Sequence, residues 1–148
     1  MAMLKFENYF FESFSFSENE KFDYECDDLD VDFFPKVEVN ILEKKSAIIL
    51  MYCRLGDESK INCPFTGEVK LTGIFTVEFD ESDTEDANLA NELLTQNAIA
   101  ILFPYLRSFV SDMTLKTNKF PSFILPPFNI LNMLKEEEVI QINELSNN

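Results

Sequence analysis

Histidine is absent from this chain of 148 residues, and with it goes the side chain best suited to proton transfer near neutrality and the commonest metal ligand. Glycine is almost as scarce. Gly56, Gly67 and Gly73 stand apart from one another, so there is no glycine-rich loop to cradle a nucleotide phosphate. The cysteines Cys26, Cys53 and Cys63 are odd in number and form no CxxC. They indicate neither a complete disulfide framework nor a zinc knuckle, and reduced thiols in a cytosol are the simplest reading. Positive charge is short as well: 12 Lys and Arg stand against 27 Asp and Glu, for a formal charge of -15. Contacts to a phosphate backbone would be made against a repulsive field, so neither nucleic acid nor an anionic membrane is expected as a partner. A polypeptide with basic stretches would instead be attracted over about a Debye length of ~8 Å. The N-terminus MAMLKFENYFFES builds no signal-peptide core, and no stretch reaches the ~18 apolar residues of a membrane span. A soluble, cytoplasmic protein without membrane insertion is the expectation.

What the chain has in quantity is apolar surface, 46% of its residues, with 16 phenylalanines. Its length suits one domain with a real core. From Leu4 to Phe16 the even positions Leu4, Phe6, Phe10, Phe14 and Phe16 are apolar, the pattern of a strand with one face buried. Glu18 to Asp32 is acidic and breaks the pattern as a crossover loop. Lys36 to Leu42 alternates again, and Ala47 to Leu55 is nearly all apolar. Lys60 to Phe79 completes a set of four strands, with a bend or bulge expected around Pro64, Gly67 and Gly73.

At Ser82 the period changes. Ser82-Asp83-Thr84-Glu85 has capping-box spacing, and the acids that follow suit a helix N-terminus, so a helix runs to about Gln96. From Ile99 a second helix presents Leu102, Phe103, Leu106, Phe109, Val110 and Met113 on one face. Pro104 is placed in its first turn rather than at a kink. Beyond Lys119 the pattern collapses into Phe120-Pro121, Phe123-Ile124-Leu125 and Pro126-Pro127-Phe128, an extended apolar rope that can be neither helix nor central strand. A last, weak helix is expected over Ile130–Asn143, frayed at its end. Strands followed by helices predict a two-layer α+β domain over residues 1–148: sheet at about 4–79, helices and proline-rich loop at about 82–134, and a flexible acidic tail at about 135–148.

No catalytic constellation stands out, because Ser and Cys would have to rely on Lys, Asp or Glu without diagnostic spacing. The acid clusters Asp27-Asp28-Leu29-Asp30 and Asp80–Asp86 lack the EF-hand order and read as solvated loops. No enzyme, cofactor or metal site is expected. Phe6, Phe16, Phe75 and Phe109 read as core. Phe33 and Phe34 before Pro35, and Phe120, Phe123 and Phe128 among prolines, lie in irregular segments that usually occupy the surface. Exposed aromatics there imply an apolar groove or a subunit contact. A wide aromatic groove binds varied apolar side chains without hydrogen-bond specificity.

Three blocks carry a family resemblance: Glu68-Val69-Lys70-Leu71-Thr72-Gly73-Ile74-Phe75, Ile101-Leu102-Phe103-Pro104-Tyr105-Leu106-Arg107, and Phe120-Pro121 through Leu125-Pro126-Pro127-Phe128-Asn129. In order and spacing they resemble the SecB family of bacterial export chaperones, over roughly Leu4 to Leu134. The resemblance implies a four-stranded antiparallel sheet with helices packed on one face, and a homotetramer built as a dimer of dimers. It implies an ATP-independent holdase that wraps unfolded polypeptides along grooves bounded by the crossover and proline-rich loops. Phe33, Phe34, Phe120, Phe123 and Leu125 are then the client-binding candidates.

Glu68 matches an acid with which the family meets the export motor SecA. Ser13 and Ser17 stand where well-known members carry two more acids, and the tail from Glu136 departs from the usual one. The clients implied are preproteins for Sec-dependent export. Divergent SecB-like chaperones instead hold an antitoxin of a toxin–antitoxin system. A third reading is a SecB-like interaction module without holdase activity.

Overall fold

The computed structural model describes residues 1–119, 123–125 and 129–145. Four strands come first, β1 (Met3–Glu18), β2 (Phe33–Leu42), β3 (Ser46–Leu55) and β4 (Phe65–Glu78). A long helix follows as α1 (Thr84–Glu92), a π-helical turn (Leu93–Asn97) and α2 (Ala98–Lys116). A short α3 (Ile130–Glu136) and a fifth strand, β5 (Ile140–Leu145), close the chain. The sheet order is β1-β4-β3-β2-β5. Neighbours are antiparallel except β5, which runs parallel to β2.

The alternation read in β2 and the nearly continuous apolar run of β3 build one apolar sheet face. Val37, Val39 and Ile41 of β2, Ala47, Ile49, Met51, Cys53 and Leu55 of β3, and Val69, Leu71, Phe75 and Val77 of β4 are buried there. The helix layer covers them with Leu94, Ile99, Leu102, Leu106 and Val110. Length and composition alone would let Thr84–Lys116 cross a membrane, but this stripe makes it a core helix of the sheet. The second face stays open to solvent and carries the intervening polar residues.

Five details depart from the sequence expectation. In β1 the simple alternation fails, because the pairing with β4 slips between Phe6 and Asn8 and again between Phe11 and Ser13. Each slip inserts one residue and swaps the faces. Tyr9 and Phe11 therefore join Phe6 and Phe14 on the helix side, while Phe10 lies on the open face, 45% exposed. The bulges sit in β1 and not in β4, whose register with β3 runs unbroken from Ser46↔Thr76 to Leu55↔Gly67. The glycines of β4 serve close approach instead: a Cβ on Gly73 would stand 2.9 Å from Leu102, and one on Gly67 would stand 2.7 Å from the Phe16 ring.

The first helix is capped one residue later than the capping box suggests, by the Asp83 carboxylate, which accepts from the Glu85 N–H at 3.0 Å. Pro104 lies within α2, not in a first turn. It is tolerated because Pro104 and Ala100, whose carbonyl loses its helical donor, are both on the exposed side, where water serves. The fifth departure is the tail. The last helix stops at Glu136, Glu138 takes φ 54°, and the chain straightens into β5 instead of fraying. Ile140 and Ile142 alternate with Gln141 and Asn143, a period of two that suits the free edge of β2.

Candidate functional site

At one end of the sheet a single register row crosses four strands. Phe33 pairs with Leu55, Leu55 with Gly67, and Gly67 with Phe16. All four residues face the helix layer. Side chains in such a row stand about 5 Å apart from strand to strand, and Gly67 leaves a dip that the Phe16 ring leans over. Phe65 and the last turn of α2 close this end into a cavity of about 220 Å³, lined by Phe16, Phe65, Thr114, Thr117 and Lys119. A 2.6 Å ion pair between Lys119 and Glu18 rims it.

The remnant of the proline-rich rope lies against this end. Phe123 meets Phe65 edge to face, with ring centroids 6.1 Å apart. Its N–H donates to Thr114 Oγ1 at 2.9 Å, and the Leu125 carbonyl accepts from Arg107 Nε at 3.0 Å. These two bonds hold an extended segment on α2 without secondary structure of its own. Leu125 is fully buried and Phe123 is half-buried, while Ile124 points outward, 64% exposed. On the far side the crossover after β1 is tied to the β3–β4 loop. Asn19 Nδ2 donates to the carbonyls of Lys60 and Cys63, and Lys60 Nζ reaches Asp32 at 2.8 Å.

The candidates read from sequence thus divide. Phe33, Phe123 and Leu125 gather at one end of the helix layer, Phe33 with its ring 6.4 Å from that of Phe103. Leu125 is a floor residue with no exposed surface. Phe34 follows Phe33 in an extended strand and so faces the opposite side of the sheet. There the Arg54 guanidinium covers its ring at 4.4 Å. One groove therefore does not contain both Phe33 and Phe34. Phe120 lies outside the described residues. Phe16, Phe65, Gly67 and Thr114 are site residues that the sequence does not mark as such. Their only sequence trace is apolar or small character within regular elements, which a buried core shows equally.

Glu68 is exposed on the open sheet face, opposite Ser15 of β1 and Arg54 of β3. The Tyr52 hydroxyl donates to its Oε1 at 3.1 Å, and burial, then the Glu68 carboxylate, raises the Tyr52 pKa. Ser13 and Ser17 share this face. Beside Glu68 a depression of about 570 Å³ is lined by Lys36, Glu38, Tyr52 and Lys70 among others, so the surface is of mixed charge.

A second aromatic strip runs along the β1 edge. Phe6 stacks on Phe75 at 4.8 Å and meets Tyr105 edge to face at 5.3 Å. Phe11 and Phe14 hold Phe109 between them at 4.1 and 5.0 Å. Tyr9 and Phe14 remain 41% and 51% exposed. Phe6 and Phe109 are therefore part of a half-open surface, whereas Phe75 is core as expected. The sequence does not group Tyr9, Phe11 and Tyr105, because the bulges that bring them together leave no mark in the apolar pattern.

The fold has counterparts among known proteins. A protein of Methanocaldococcus jannaschii, itself uncharacterized, is 29% identical over 142 residues, covering 93% of this chain and 86% of its own. The solved structure of the SecB-like chaperone Rv1957 of Mycobacterium tuberculosis, in complex with a ChAD peptide from the HigA1 antitoxin, superposes with a TM-score of 0.63. That likeness covers 84% of this chain and 90% of the other at 16% identity, and so speaks for the fold. The family described as preprotein translocase subunit SecB matches residues 12–140, from the second bulge of β1 to the first residue of β5. With most of its length inside that match, the chain belongs to the SecB family, whose proteins are chaperones rather than enzymes.

Proposed function

We propose that this protein is an ATP-independent holdase that binds unfolded polypeptides in the cytoplasm, at the end of the helix layer that carries Phe33, Phe16, Phe65 and Phe123. The observation that carries this reading is the irregular apolar segment Phe123–Leu125, held on α2 by hydrogen bonds to Thr114 and Arg107 beside an open cavity that Phe16 and Phe65 line. Such a surface offers apolar contact and few fixed polar groups, so it discriminates weakly among extended sequences. The charge of -15 favours clients with basic segments. Self-association into a dimer of dimers has a candidate surface in the β1 edge, a long strand bearing half-exposed Tyr9, Phe10 and Phe14. Phe34 and Phe120 remain proposed contacts, the first on the opposite face.

Preproteins for Sec-dependent export are the proposed clients, with Glu68 meeting a SecA-like motor. A client of the antitoxin kind is a second reading, favoured by the antitoxin peptide on the similarly folded mycobacterial chaperone and by the cations Lys36, Arg54 and Lys70 around Glu68. Calorimetric titration with a polypeptide held unfolded, and with its folded form, tests the holdase. Saturable binding of the unfolded form alone is expected, weakened about tenfold or more by Phe33→Ala with Phe123→Ala. Unchanged affinity in a folded double variant rules out this groove. Binding of a folded partner with no preference for denatured chains rules out the holdase.

A further inference from the structure

The strand β5 is attached to the molecule unlike any other element. None of its six side chains is buried, and Ile142 and Leu145 are 50% and 48% exposed. Its hold is the parallel main-chain ladder from Val37↔Ile140 to Leu42↔Leu145, begun by the Val37 N–H to the Val139 carbonyl at 3.0 Å. Two side chains add to this: Ile140 packs half-buried against the core, and Asn143 makes polar contacts on the open side. Asn143 Nδ2 donates to Glu38 Oε1 at 2.8 Å and to Asn40 Oδ1 at 3.0 Å. The strand it leans on needs no such neighbour: β2 is paired along its whole length to β3 and sends Val37, Val39 and Ile41 into the core. What β5 supplies, any extended backbone with an apolar residue on the helix side and a donor side chain on the open side supplies equally. Without it the edge of β2 would present open N–H and C=O groups, a template for another strand.

We propose that the outer edge of β2 is a strand-acceptor site for extended polypeptide and that β5 is its replaceable resident. A client segment adds there in parallel, with apolar residues on the helix side as in Ile140 and Ile142, and an amide or other donor on the open side to reach Glu38 and Asn40. The position supports this. β2 begins at Phe33 in the aromatic row, and β5 pairs with it only from Val37 onward, so an extended chain that meets Phe33 and continues parallel to β2 enters the same edge. Glu138, with φ 54° between α3 and β5, is the point about which β5 swings away while α3 stays anchored by Ile130 and Leu134. The claim that clients use this edge rests on the holdase reading. The acceptor edge itself does not.

The test uses the full-length chain with Asn143→Pro, which removes both the side-chain clamp and, in a parallel ladder of this register, an N–H directed at β2. Asn143→Ala, which removes only the clamp, is the milder companion. Hydrogen exchange at the amides of Val37, Val39 and Ile41 is expected to quicken in Asn143→Pro and to slow again when a synthetic peptide of residues 139–148 is added in trans. A resident strand docked about nine-tenths of the time lowers a competitor's affinity ~tenfold. A reduced, carboxymethylated polypeptide is therefore expected to bind Asn143→Pro about tenfold more tightly than the parent, with Asn143→Ala between them, and to protect the same three amides. A peptide that neither binds nor restores protection overturns the acceptor edge. Equal affinity of the unfolded probe for all three chains, with those amides left unprotected, overturns the exchange with clients and leaves the holdase intact. Restoration by the peptide with no binding of the unfolded probe to any form supports the acceptor edge and removes the holdase instead.

Discussion

Replacing Thr114 by Val tests whether the irregular segment is held by the bonds that the geometry shows. The substitution keeps the shape of a buried side chain and removes its hydroxyl. In the parent, Thr114 Oγ1 accepts from the Phe123 N–H at 2.9 Å and donates back to the Val110 carbonyl at 2.8 Å. The carbonyl keeps its helical donor in the variant, whereas the half-buried Phe123 N–H is left without an acceptor. An orphaned donor of that kind costs about 1–2 kcal/mol. For a chain of this length a loss of that size lowers Tm by about 3–6 °C. Thermal unfolding gives the total, and hydrogen exchange at the Phe123 amide locates it. Thr114→Ser, which retains the oxygen, keeps that amide protected even where the lost methyl lowers Tm. If Thr114→Val leaves Tm within about 1 °C of the parent and the Phe123 amide protected, the segment is held by something else and the proposed groove loses its edge.

Gly73→Ala places a Cβ 2.9 Å from Leu102 Cδ1 and 3.1 Å from Phe75 Cε2. It should cost about 1–3 kcal/mol by overpacking α2 against β4, read as a lower denaturant midpoint with unchanged slope. The Asp86 carboxylate accepts N–H bonds from Asp80 at 2.7 Å and Ala2 at 2.6 Å, which hold its pKa below the ordinary value, with the N-terminal ammonium adding to the effect. Its contribution to stability is present above the unfolded-state carboxylate pKa of ~3.9 and is lost as pH falls through the lower folded value. Asp86→Asn should therefore flatten the acid limb of a stability-against-pH profile, and an unchanged limb would deny Asp86 that role. Burial pushes the Cys53 thiol up to about 12, and Cys63 is enclosed between the Asp57 N–H and the Phe65 carbonyl. At pH 8 an alkylating reagent should label the half-buried Cys26 first and reach the other two only on unfolding, which peptide mapping by mass spectrometry would show.

Much of the fold was legible because local patterns carry it. The alternation in β2, the apolar run of β3, the stripe from Ile99 to Val110 and the acids around Asp83 each announce an element through its own composition, period or cap. The sequence by itself determined four strands before two helices, which the fold joins through the π-helical turn Leu93–Asn97, an acidic composition without histidine, and a family whose three blocks lie in β4, α2 and the proline-rich segment. What it could not determine depends on partners far away in the chain. The two bulges in β1 turn Tyr9 and Phe11 toward α2 and Phe10 away from it, and their only cause is the match to β4, some sixty residues on. Phe33 and Phe34 look alike as neighbours in sequence, yet a pleated strand sends them to opposite faces, one to the aromatic row and the other beneath Arg54. Phe16, Phe65 and Gly67 become a site only because the register aligns them. The tail shows the same limit most plainly: a four-residue alternation soon after three glutamates is too weak to form a strand by itself, and only the open edge of β2 decided that it would be one.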